Sequence, residues 1–222
     1  MSENTTGISP IISKTVSFVK QELAQAEGGH DWWHIYRVWQ LSRRIAAGEK
    51  VDMQIVELGA LLHDIADSKF HGGDESIGPR KARTFLESQK VPEPVIQHVV
   101  NIIEYVSFKG GHNTGGFYSP ELGVVQDADR LDALGAIGIA RAFNYGGFKN
   151  RALYDPAIAP DLNMTREQYK KSAAPTINHF YEKLLLLKDR MNTSTGRELA
   201  EERHAFMELF LEKFYKEWEG EN

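Results

Sequence analysis

Apolar residues recur along most of this chain at intervals of three and four, the spacing of one face of a helix. Val16, Val19, Leu23 and Ala26 keep that spacing until Gly28-Gly29, a helix stop. Asp31 is placed to cap a second helix carrying Ile35, Val38, Leu41 and Ile45, which ends near Gly48. A third follows Asp52 and runs through Ile55, Leu58, Leu61, Leu62 and Ile65. The stretch FHGGDESIGPR reads as loop, with Pro79 tolerated only in the first turn of a fourth helix bearing Ala82, Phe85 and Leu86. Val91-Pro92 opens a fifth, with Val95, Val99, Ile102, Ile103 and Val106 inward, and KGGHNTGG follows as a loop.

From about Pro120 a further helix carries Leu122, Val125 and Ala128, and residues 131–143 are expected to continue helically. The piece NYGGFKNRALYDPAIAPDLN is irregular by its Gly and Pro content. Two helices are predicted to close the chain, over 165–191 and 196–218, the latter with Leu199, Phe206, Phe210 and Phe214 on one face. No run of β-branched residues bounded by turns interrupts this pattern, so the expected class is all-α, a helical bundle. With no polar linker, the reading is one domain over 1–222, with a core at 30–150 and a closing helical hairpin at about 165–218.

Composition narrows the function. Of the 222 residues 41% are hydrophobic and 26% charged, ordinary values for a folded globular chain. The net charge of −5 argues against a protein that holds a nucleic-acid polymer through a basic surface. A small phosphate ligand stays open, because a divalent ion supplies positive charge locally. With no cysteine, disulfides and thiolate metal sites are excluded and a cytoplasmic location is favoured. The N-terminal stretch does not read as a secretory signal, and apolar runs such as Leu184–Leu187 are far too short to span a membrane.

Chemistry gathers in three places. His63-Asp64 closes an apolar helix in ALLHDIAD, where a buried charge needs a compensator and a metal ion is an economical one. His30 and His34 lie four apart in GGHDWWHIYRV, on one helix face but without the Glu of an HExxH site. His34, a full turn inside the helix, is the better ligand candidate, and His30 reads as a supporting residue. Asp127, Asp129 and Asp132 sit with Arg130 among small and apolar neighbours, which a solvated face does not explain. Gly135 and Gly138 there suggest close helix packing.

In the order His, His-Asp, distant Asp, the chain resembles the HD-domain superfamily of metal-dependent phosphohydrolases, whose motif is H…HD…D. More narrowly it is similar to the YedJ/YpgQ-like branch. The likeness is carried by HDWWHIYRV (30–38), ALLHDIAD (60–67) and VQDADRLDALGAIGIARAFNYGG (125–147). It implies that His34, His63, Asp64 and Asp129 hold one divalent ion, leaving two octahedral positions for water and substrate. Mn²⁺ is the first expectation for that donor set, with Mg²⁺, Co²⁺, Ni²⁺ and Fe²⁺ as alternatives. Asp67 matches the position of a general acid/base or water-orienting group. Lys69, Arg37 and Arg130 are candidates to neutralise substrate phosphate oxygens, or to form structural ion pairs.

The activity implied is that of a nucleotide pyrophosphohydrolase, releasing monophosphate and pyrophosphate from nucleoside triphosphates. The partner is then a small nucleotide, with neither a nucleic-acid polymer nor a membrane. Trp32, Trp33, Tyr36, Phe70, Phe108, Phe117, Tyr118 and Tyr145 are available to stack a base, although aromatics at helical spacing are mostly core. The alternatives are a nucleoside monophosphate phosphatase and a non-catalytic nucleotide sensor. A third is a di-iron oxygenase of the same superfamily, which would recruit histidines such as His71, His98 or His112.

Overall fold

The computed structural model describes residues 9–24, 31–66, 74, 76–106 and 116–221. Among these the regular elements are all helices. Two compact units are distinguished, 1–128 and 129–222.

The first unit holds α1 (Pro10–Glu22), α2 (Trp32–Ala46), α3 (Met53–Leu62), α4 (Ile77–Ser88) and α5 (Glu93–Val106). It also holds α6 (Pro120–Asp132) up to Ala128. Helix α3 is apolar around most of its surface, with seven of its ten residues buried, and a helix of that kind is stable only when largely surrounded. It packs against α1, α2 and α5, with Val56, Leu58, Ala60, Leu61 and Leu62 fully buried. Each large aliphatic side chain so buried contributes roughly 1.5–3 kcal/mol before the entropy of ordering is subtracted. The expected Asp31 cap forms, its carboxylate accepting from His34 N at 3.0 Å, and Asp52 caps α3 in the same way, accepting from Gln54 N at 2.9 Å. Caps of this kind stabilise a helix start by about 1 kcal/mol each.

Helix α3 stops at Leu62, short of the Ile65 that the apolar pattern predicts. The carbonyl of Ala60, which in a longer helix would receive the amide of Asp64, bonds the His63 ring nitrogen Nδ1 at 2.8 Å. A side chain thus competes for the backbone acceptor where the helix ends.

The second unit holds the end of α6, α7 (Gly135–Phe148), α8 (Arg166–Lys171), α9 (Thr176–Glu182), a 3₁₀ helix (Leu184–Arg190) and α10 (Ser194–Trp218). Helix does not run unbroken from Leu131. Leu134 is extended, and Gly135 takes a φ of +70° with the stem of Arg203 3.1 Å from the place of a Cβ, a conformation that favours glycine. Helix α7 then continues to Phe148, into the piece predicted to be irregular. There Gly146 admits α9: a Cβ on it would lie 2.1 Å from Thr176 Oγ1.

The single helix expected over 165–191 is three pieces: Pro175, which lacks an N–H and disfavours a helical residue before it, parts α8 from α9, and Lys183 leaves helical backbone between α9 and the 3₁₀ helix. Helix α10 begins two residues ahead of the predicted Gly196, with Thr193 Oγ1 accepting from Gly196 N at 2.9 Å. It packs on α7 and the 3₁₀ helix, and the rings of Phe143, Phe180, Phe210 and Phe214 meet at centroid distances of 5.9–6.4 Å. Among the described residues no helix is long and apolar enough to cross a membrane.

Candidate metal centre

Three chain segments deliver the candidate ligands. His34 stands in the first turn of α2, where the Asp31 cap fixes its backbone, and its side chain points inward, 2% exposed. His63 follows the last residue of α3 and is 9% exposed. Asp129 comes after Ala128 in the unbroken helix α6. One ligand atom from each of His34, His63 and Asp129 lies within 4.8 Å of the other two.

The two imidazoles meet edge to face, ring centroids 5.3 Å apart, with their Nε2 atoms at 3.3 Å. A carbonyl only accepts, so the bond to Ala60 O places the proton of a neutral His63 on Nδ1 and leaves a lone pair on Nε2. That lone pair faces His34 Nε2. Such a contact is satisfied by a proton on His34 or by a cation drawing on both nitrogens. The carboxylate of Asp129, in the same group, adds an oxygen donor for such a cation. Two nitrogen donors and an oxygen donor, one imidazole oriented by a backbone carbonyl, fit a divalent transition ion.

Asp64 lies half-buried in the turn after α3 but outside the group that meets within 4.8 Å. The other acidic residues of α6 divide by role. Asp132, 1% exposed, pairs with Arg141 of α7, and Asp127 is fully buried. Arg37 sits half-buried one turn along α2 from His34. Arg130 donates to the carbonyl of Arg190 at 2.5 Å. Asp67, Lys69 and His30, together with His71 and His112, lie outside the described residues. His98 bonds Ser119 Oγ at 2.8 Å and lies 3.4 Å from Glu121, and no further histidine joins the His34 group among the described residues.

Motif reading does not single out Arg141, although an arginine inside the apolar stretch GAIGIARAF is a signal that a buried acid needs a partner. Nor does any motif mark the Ala60 carbonyl, since a backbone acceptor has no sequence signature.

Residues 32–134 match the HD domain family. The chain is 40% identical to the Bacillus subtilis protein YpgQ over 205 residues, 92% of either chain. It belongs to the HD-domain superfamily of metal-dependent phosphohydrolases. A crystal structure of an HD-superfamily hydrolase from Bacillus thuringiensis superposes with a TM-score of 0.76 at 44% identity, covering 94% of this chain and 97% of that one. The crystal structure of B. subtilis YpgQ in complex with ADP superposes with a TM-score of 0.72 at 36% identity, covering 93% and 94%. The matched span of the HD domain begins in α2 and ends just beyond α6, so it encloses all three grouped residues.

Proposed function

We propose that this HD-domain phosphohydrolase is a nucleotide pyrophosphohydrolase, converting nucleoside triphosphates to monophosphate and pyrophosphate. The observation that carries it is the meeting of His34, His63 and Asp129 in a chain of this family. A nucleotide as substrate is supported by the relative YpgQ, crystallised with ADP.

In this reading His34, His63, Asp64 and Asp129 hold one divalent ion, with Mn²⁺ preferred because imidazole donors suit it better than Mg²⁺. Bound there, the ion supplies an acidified water and neutralises a non-bridging phosphate oxygen. The protein's own part is to place and charge the surroundings. The Ala60 carbonyl holds the His63 ring in the ligating tautomer. Asp67, three residues past Asp64, takes the proton from the attacking water or orients it. Arg37, Lys69 and Arg130 are the cations that would neutralise the charge spreading over the equatorial oxygens.

The test is a product assay with nucleoside mono-, di- and triphosphates and Mn²⁺, products resolved by ion exchange. Equal monophosphate and pyrophosphate from triphosphates is the expected result. Orthophosphate released from monophosphates, with triphosphates untouched, would replace the proposal with a monophosphatase.

A further inference from the structure

Helix α2 carries His34 in its first turn, with Trp33 just before it and Tyr36 and Arg37 just after. At 100° per residue, Arg37 stands about 60° around the helix from His34, Trp33 about 100°, and Tyr36 about 160°, all in the same direction. Burial follows that arc. His34 is 2% exposed and Arg37 half-buried, whereas Tyr36 is 39% and Trp33 61% exposed. The opposite arc, Ile35, Val38, Ser42 and Ile45, is fully buried and supplies the packing of the helix. Trp33 therefore adds little to the core, yet it is among the largest apolar surfaces left to solvent. Its ring makes a T-shaped contact with that of Tyr36, centroids 5.9 Å apart at 81°, which braces the indole.

The sequence of chemistries along this arc is a metal-ligating imidazole, then a guanidinium, then an exposed aromatic face. A nucleotide carries the complementary sequence: phosphate oxygens that bind a metal ion, further phosphate charge, and a flat π-system at the far end. Resting on the pyrophosphohydrolase reading, we infer that Trp33, braced by Tyr36, is the platform on which the substrate base stacks. Stacking is sequence-tolerant, because every base has a π-face. The platform therefore confers preference for nucleotides over base-free polyphosphates, with little discrimination among bases.

The experiment compares wild type, Trp33→Ala and Trp33→Phe, each with Mn²⁺, on adenosine triphosphate and on inorganic tripolyphosphate. Binding is read by calorimetry and turnover by product analysis. Trp33→Ala is expected to raise Kd and KM for the nucleotide roughly 5- to 100-fold, leaving kcat within about threefold and tripolyphosphate binding unchanged. Trp33→Phe restores most of the nucleotide affinity. Unchanged nucleotide affinity in Trp33→Ala, or an equal loss for tripolyphosphate, overturns the inference. The two proposals fail separately. If wild type turns over adenosine monophosphate and not the triphosphate, the pyrophosphohydrolase reading falls, and the same binding comparison with the monophosphate against orthophosphate still decides the platform.

Discussion

Two histidines, one in each unit, show how the same side chain is turned to opposite ends. In the first unit His63 gives its Nδ1 proton to the Ala60 carbonyl and keeps the Nε2 lone pair for the cluster with His34 and Asp129. In the second, His179 Nδ1 of α9 is hydrogen-bonded to the hydroxyl of Tyr169 at 2.6 Å while the two rings stack. One imidazole is left able to bind a cation, and the other is locked into the packing of α8 on α9. The acids of α6 repeat the contrast. Asp129 joins the histidines, whereas Asp132, three residues on, is taken up by Arg141. Which atom a neighbour engages, more than residue type or burial, separates a candidate ligand from a structural group.

Removing one member from each side should break this symmetry. The largest effect is expected for Asp129→Ala: bound divalent metal falls well below one per chain by elemental analysis, and turnover drops more than a hundredfold. Full activity with full metal would remove Asp129 from the centre. Arg141→Met acts on the other acid, leaving Asp132 buried without that partner. It should cost about 3 kcal/mol in urea unfolding, with one metal ion per chain retained in the folded protein.

The His179 side has a pH signature. Burial, aided by the charges of Lys183 and Arg151, holds this imidazole at about 3, well below its ordinary 6.5. The unfolded chain therefore binds the proton first. The contribution of neutral His179 is complete above about pH 6.5 and is lost progressively as pH falls towards 3. The slope approaches, at most, about 1.4 kcal/mol per pH unit. Urea midpoints of wild type and His179→Leu should converge as pH is lowered from 7 to 5. Parallel curves would mean that His179 is not buried neutral. The smallest effect is that of Tyr169→Phe, which deprives His179 of this hydrogen bond at a cost of about 1 kcal/mol. The melting temperature falls by roughly 2–4 °C, and metal content is unaffected.

The helices of the first unit were legible because each buries one face or is buried whole. The spacing of Val99, Ile102, Ile103 and Val106 appears in α5, and the Asp31 and Asp52 caps form where the chain places them. The second unit resisted because its breaks arise from contacts between distant residues. Residues 131–143 show uninterrupted helical spacing, yet the chain turns at Leu134 and Gly135, where Arg203 of α10 packs and donates to the Leu131 carbonyl. Pro175 is a visible signal for dividing 165–191, and the helix is broken there.

By itself the sequence determined the all-α class, most helix starts and the superfamily, since capping and periodicity are local and the H…HD…D order is written along the chain. Tertiary structure decided which donors meet. It brought His34, His63 and Asp129 within 4.8 Å, left Asp64 outside that group, and gave Asp132 to Arg141. It also left Trp33 and Tyr36 open to solvent while Ile35 and Val38 on the same helix were buried. A lone pair is assigned by the atom that faces it, and that atom comes from another part of the chain.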